Sequence, residues 1–127
     1  MHKYLYIAAG GAAGSLCRYL VSGITQRMFA TSFPIGTFSV NMIGCLFFGL
    51  VTGLFEERLG LPPEMRLLIL TGFMGAFTTF STYMFESTNL IKSGQWAMTA
   101  LNIGGQSILG FACIIGCLLY TSPSPRD

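Results

Sequence analysis

Along the chain, four long apolar runs alternate with short polar breaks. The runs extend from about Tyr4 to Ile24, Ile35 to Phe55, Leu67 to Ile91 and Trp96 to Tyr120. Each holds about 20–25 residues, the length a helix needs to cross a bilayer. The breaks are Gln26 through Pro34, Glu56 through Arg66 with Pro62-Pro63 inside it, and Lys92-Ser93-Gly94-Gln95. Connections this short predict that sequential helices are antiparallel neighbours. Residues 1–120 are therefore predicted to form a single four-helix transmembrane domain. The last seven residues, Thr121-Ser122-Pro123-Ser124-Pro125-Arg126-Asp127, carry two prolines close together, which stop a helix. Residues 121–127 are predicted to be a disordered tail, with the look of a read-through or cloning scar.

Polar positions inside the runs are the informative ones. The third run contains Thr71-Gly72-Phe73-Met74-Gly75-Ala76-Phe77-Thr78-Thr79-Phe80-Ser81-Thr82-Tyr83. Hydroxyls and loosened backbone at membrane depth are tolerated where they face protein or a pathway. In the first run, Gly10 and Gly14 are four apart, as are Gly11 and Ser15, a spacing that lets helices approach closely in lipid. Arg18 follows one turn on, about 20 Å along a helix that rises 1.5 Å per residue. A charge at that depth faces the protein interior or water, or snorkels to the far interface. Asn41, in the second run, offers two N–H donors that need partners. It either ties helices together or lines a pathway. Thr99, Asn102, Gln106, Gly110, Cys113 and Cys117 fall on one face of the fourth run. That polar or small stripe is either a packing seam or a pathway wall.

Composition agrees with a lipid solvent. Apolar residues make up 52% and charged residues 9% of the chain, against roughly 25% charged in an ordinary soluble domain. The net charge of +2 gives no reason to invoke nucleic acid. Cys17, Cys45, Cys113 and Cys117 lie in apolar runs without a Cys-x-x-Cys pair, and pack as small hydrophobes. The first run is too long for a signal-peptide core and is interrupted by Arg18, so it is read as a mature span. Basic residues are nearly balanced across the two sides: Lys3, Arg58 and Arg66 against Arg27 and Lys92. So small a bias leaves orientation weakly specified. Two copies inserted in opposite orientations can then meet.

No nucleophile–base pair, phosphate loop or metal-ligand cluster is visible, so the chain is not read as an enzyme. Glu86 is the only acid deep in a run. A proton-coupled exporter needs a carboxylate in its pathway. Donors dominate instead: Asn41, Thr79, Ser81, Thr82, Asn102 and Gln106. With Arg18 they suit an anion better than a cation. Phe80 and Tyr83, three apart, add ring edges, which are the positive part of an aromatic quadrupole.

The chain resembles the Fluc family of fluoride channels, also called CrcB proteins. The resemblance rests on Gly10-x-x-x-Gly14-x-x-x-Arg18-Tyr19, on Gly36-Thr37-x-x-x-Asn41-x-x-Gly44, and on Gly72-Phe73-x-Gly75-x-x-Thr78-Thr79-Phe80-Ser81-Thr82. It covers about residues 4 to 118. It implies an all-α membrane protein, an antiparallel dual-topology homodimer of four-helix subunits whose third helix is broken near its middle. It implies passive export of fluoride across the bacterial inner membrane, relieving fluoride toxicity, through two pores. Phe80, Ser81, Thr82, Tyr83, Asn41, Asn102 and Gln106 would line the fluoride pathway. Arg18 would lie near a vestibule and Glu86 near a pore end. A structural sodium ion at the dimer interface would be held by the backbone carbonyls of Gly75 and Thr78. Three positions depart from the family pattern. Tyr83 stands where Phe is typical, Gly110 where a hydroxyl is common, and the Pro-rich tail where the fourth helix usually ends. The competing readings are a small proton-coupled multidrug exporter, which would want an acid in the first span, and a non-transporting membrane assembly subunit.

Overall fold

The computed structural model describes residues 2–121, excepting the side chains of residues 56–59. The proposed tail beyond Thr121 lies outside the described residues. Among these, every regular element is helical. Helix α1 runs His2–Phe29 and α2 runs Ile35–Val51, continuing as a wider π-helical stretch, π1, over Thr52–Leu59. The third unit is α3 (Pro63–Arg66), a second π-helical stretch π2 (Leu67–Met74), α4 (Gly75–Phe77) and, after a break, α5 (Ser81–Lys92). Helix α6 runs Trp96–Thr121.

These elements follow the hydrophobic runs closely. Three of them, Ile35–Phe55, Pro63–Lys92 and Trp96–Thr121, are long and apolar enough to cross a membrane. Helix α1 has the length, at 28 residues, but is less apolar than these three. It also extends past the expected end at Ile24, through Gln26 and Arg27 to Phe29. The Gln26 side chain explains this. Its Nε2 donates to the carbonyls of Thr31 (3.0 Å) and Phe33 (2.9 Å), and its Oε1 accepts the Gly36 N–H at 2.9 Å. Gln26 thus organises the turn into α2 from inside α1. The final turn closes at Gly94, whose φ of +75° suits a residue without a Cβ.

Helix α1 packs on π2 and α4, α2 packs on α6, and α5 packs on α6. Small residues set the first contact. A Cβ on Gly14 would run into the Phe73 backbone, and one on Gly10 into the Leu68 carbonyl. Close backbone approach of this kind is how helices associate where lipid removes the hydrophobic drive. Val40, Val51, Leu70, Met74 and Phe77 form the buried core. Much apolar surface remains outside it, including Leu16, Tyr19, Ile108, Phe111 and Leu119, all more than half exposed. A soluble monomer rarely shows so continuous an apolar exterior; a lipid-facing one does.

Candidate functional site

The third span is interrupted at residues 78–80. Thr78 leaves the helical region with φ −83° and ψ 160°, and helix resumes at Ser81. A break strands backbone groups that a continuous helix would pair. Two side chains from other helices take them up. The Asn41 carboxamide clamps Thr79 on both sides: Oδ1 accepts the Thr79 N–H at 2.8 Å, and Nδ2 donates to the Thr79 carbonyl at 3.1 Å. Arg18 Nε donates to the Ala76 carbonyl at 3.0 Å. A guanidinium at the C-terminal end of a half-helix also faces the negative end of the helix dipole. The Thr78 hydroxyl bonds back to the Met74 carbonyl at 3.1 Å.

From Asn41 a ladder of hydrogen bonds leads away along α6. Asn41 Nδ2 donates to Gln106 Oε1 at 2.6 Å, Gln106 Nε2 to Asn102 Oδ1 at 2.9 Å, and Asn102 Nδ2 to Ser87 Oγ at 2.9 Å. The Ser87 hydroxyl ends on the Tyr83 carbonyl at 2.8 Å. Asn102, Gln106 and Ser87 are buried. Buried polar groups at membrane depth are costly unless satisfied, and the ladder satisfies them in series. The Tyr83 hydroxyl donates separately to the Ile103 carbonyl at 3.0 Å. The Phe80 and Tyr83 rings meet edge to face, centroids 6.0 Å apart.

A cleft of about 350 Å³ opens beside the break. Asn41, Thr78, Thr79, Phe80, Tyr83 and Gln106 line it, with Met42, Cys45 and Ser107. Five of these nine were singled out from the sequence as site residues, although Gln106 lies 65 positions from Asn41. A smaller hollow of about 220 Å³ joins Gly75 and Thr78 to Gly44 and Ile114. Glu86 lines a third cavity, of about 430 Å³, beyond the ladder's far end, with Gln26 and Ser93 on its walls. One Glu86 carboxylate oxygen is buried there without a hydrogen-bond partner.

Sequence comparison places the chain in a family. The family model described as CrcB-like protein, Camphor Resistance (CrcB), matches residues 5–118. The chain belongs to the CrcB family. A protein from Maridesulfovibrio salexigens named Fluoride-specific ion channel FluC is 98% identical over 118 residues, covering 93% of this chain and 94% of its own. Proteins of the same name from Nitratidesulfovibrio vulgaris and Nitrosococcus oceani are 53% and 46% identical. They cover 90% and 88% of this chain, and 92% and 90% of their own.

Within this CrcB chain, the expected site residues divide into groups. Asn41, Gln106, Phe80 and Tyr83 share the cleft, and Asn102 stands behind it in the ladder. Thr82 gives its N–H to Thr79 Oγ1 at 3.4 Å, and Ser81 is exposed on the first turn of α5. Arg18 holds the Ala76 carbonyl just before the break, whereas Asn41 clamps Thr79 within it, and Glu86 lines a separate cavity. Gly75 falls within α4, three residues before the interruption. Ser87 was not anticipated. Its signal was available only as helical spacing, four residues after Tyr83 on the buried face that Leu90 continues.

Proposed function

We propose that this CrcB protein is a fluoride-selective channel that lets fluoride leave the cell passively across the bacterial inner membrane. The observation that carries this reading is the cleft at the helix break, lined by the Asn41 and Gln106 amides, by Thr78 and Thr79 and by the Phe80 and Tyr83 rings. Fluoride is small and strongly hydrated. A pore for it must replace water with donors that hold the ion well enough to admit it and weakly enough to release it. Neutral amides, hydroxyls and ring edges meet both demands. Asn41, Phe80, Ser81, Thr82, Tyr83, Asn102 and Gln106 form the pathway in this reading. Arg18 belongs to a vestibule and Glu86 to a pore end, which fits the separate cavity that Glu86 lines.

The working unit is an antiparallel homodimer of four-span subunits, with α1 as the fourth span. Close backbone packing of Gly10 and Gly14 on π2 supports counting α1 among the spans. Phe80 is 71% exposed in the single subunit, which fits a ring whose surroundings a second copy completes. Gly75 and Thr78 offer carbonyls suited to a sodium ion. The Thr79 N–H, which a continuous helix would give to Gly75, goes to Asn41 instead. The Thr82 N–H, which would go to Thr78, goes to the Thr79 hydroxyl. Carbonyls freed of their helical partners at a break suit a small cation. Bound there, sodium would supply positive charge that ties the two breaks together.

Expression in a bacterium that lacks its own fluoride exporter tests the role. Growth in fluoride-containing medium is restored by the wild-type chain and not by Phe80→Ile. Failure of the wild-type chain to protect, with the protein in the membrane, contradicts the reading.

A further inference from the structure

The four cysteines stand far apart in the sequence or a full helical turn apart, so spacing alone does not group them. Packing does. Cys45 on α2 and Cys113 on α6 are both half-buried, and they flank a notch where Gly110 carries no side chain. A Cβ on Gly110 would stand 3.4 Å from Cys45 Sγ and 3.8 Å from the Met42 Cε methyl, the atom bonded to the Met42 sulfur. Cys113 follows Gly110 by three residues on the same helix, which puts its Cβ about 5–6 Å from that point. The Cys45 and Cys113 thiols are near enough to act on one another electrostatically. Met42 and Cys45 also belong to the wall of the cleft at the helix break. The other two cysteines are placed differently. Cys117 is buried, with its thiol donating to the Leu46 carbonyl at 3.4 Å. Cys17 packs on the apolar core from α1.

Two thiols and a thioether around one notch are a soft ligand set. Among the described residues, no group of three or more His, Cys, Asp or Glu side chains is placed to hold a metal ion. An ion that needs four hard or borderline ligands therefore finds no shell here. An ion content with two sulfurs in a line needs much less, and soft sulfur ligands select soft ions. A coordinating thiol gives up its proton. A divalent soft ion between two thiolates thus makes a complex with no net charge. That matters at membrane depth, where an uncompensated buried charge is strongly destabilising. The step balances: two S–H bonds break, two sulfur–metal bonds form, two protons leave, and nothing is oxidised or reduced.

We propose that Cys45 and Cys113, with the Met42 thioether beside them, form a binding site for a soft divalent metal ion of the mercury(II) kind, and that an ion held there obstructs the cleft. The ion fills the Gly110 notch and pins Met42 and Cys45, two wall residues of a space of only about 350 Å³. It also ties α2 to α6. Fluoride is a hard anion and gains little from a soft centre already held by sulfur, so the ion takes up room without adding a useful ligand to the pathway. The binding site goes beyond the channel reading and does not depend on it; the obstruction rests on that reading.

Purified protein in detergent is given one equivalent of mercury(II) chloride, washed with excess mercaptoethanol, and weighed by native mass spectrometry. A monothiol strips an ion held by one cysteine, whereas a pair on one chain competes as a chelate. Wild type and Cys117→Ser are expected to keep one mercury per chain with two protons lost, and Cys45→Ser and Cys113→Ser to keep none. No retention by wild type overturns the site. Retention by Cys45→Ser, or loss from Cys117→Ser, puts the ion on the Cys113–Cys117 turn of α6 and overturns it as well. In proteoliposomes, mercury is expected to slow wild-type fluoride efflux severalfold, a dithiol to restore it, and Cys113→Ser to keep its own metal-free rate. Undiminished efflux from mercury-loaded wild type overturns the obstruction. Vesicles that release no fluoride before mercury is added overturn the channel reading and the obstruction with it, and the binding site is then judged by mass alone.

Discussion

Asn41 and Arg18 both spend their donors on a broken backbone. Asn41→Ala would leave the Thr79 N–H, the Thr79 carbonyl and Gln106 Oε1 without their partner. An unsatisfied buried group costs about 1–3 kcal/mol, so Asn41→Ala is expected to lower the thermal midpoint clearly as well as abolish flux. Arg18→Met removes the donor to the Ala76 carbonyl and is expected to cost about 2 kcal/mol, the scale of a hydrogen bond from a charged group. Both are checked by thermal unfolding in detergent. The importance of the two residues was legible in the sequence, since an amide and a guanidinium among apolar residues require partners. The partners were not legible. They lie 38 and 58 positions away, and they are backbone atoms that exist as free groups only because the helix stops. Ser87 illustrates the same limit, because its pairing with Asn102 depends on how α5 meets α6.

At the level of elements, the hydrophobic runs located the helices well. The second was placed at Ile35–Phe55 and the fourth within a residue of its end. Apolar periodicity fixes such spans because lipid demands length and uniformity. The π-helical winding of Leu67–Met74 had no such signal, since widening a turn changes hydrogen-bond partners and not composition. The interruption itself is held by packing as well as by Asn41. A Cβ on Gly44 would strike the Thr78 Cγ2 methyl, and a β-branched side chain has little freedom to yield. Gly44→Ala is therefore expected to destabilise by about 1–3 kcal/mol, the usual range for overpacking. Adding Thr78→Ser removes that methyl while keeping the hydroxyl that bonds Met74. The double variant is expected to recover much of the loss in a thermal double-mutant cycle, and strict additivity would contradict this account. Gly14→Ala has no such rescue, because it meets the Phe73 backbone.

The whole molecule is a bundle whose apolar exterior makes sense in lipid, and the exposed Phe80 is the ring that the proposed second copy would cover. If Gly75 and Thr78 carbonyls bind sodium between two copies, then exchanging sodium for a large organic cation shifts the dimer toward monomer in detergent, measured by light scattering. A dimer indifferent to sodium would count against that site. The central claim is that the donor-lined break conducts fluoride and discriminates against larger anions. Purified wild-type protein in proteoliposomes loaded with potassium fluoride and potassium chloride, opened with a potassium ionophore, puts this to the test with fluoride and chloride electrodes read together. Rapid fluoride efflux with chloride retained is the predicted result; no fluoride efflux, or chloride leaving equally fast, would contradict it.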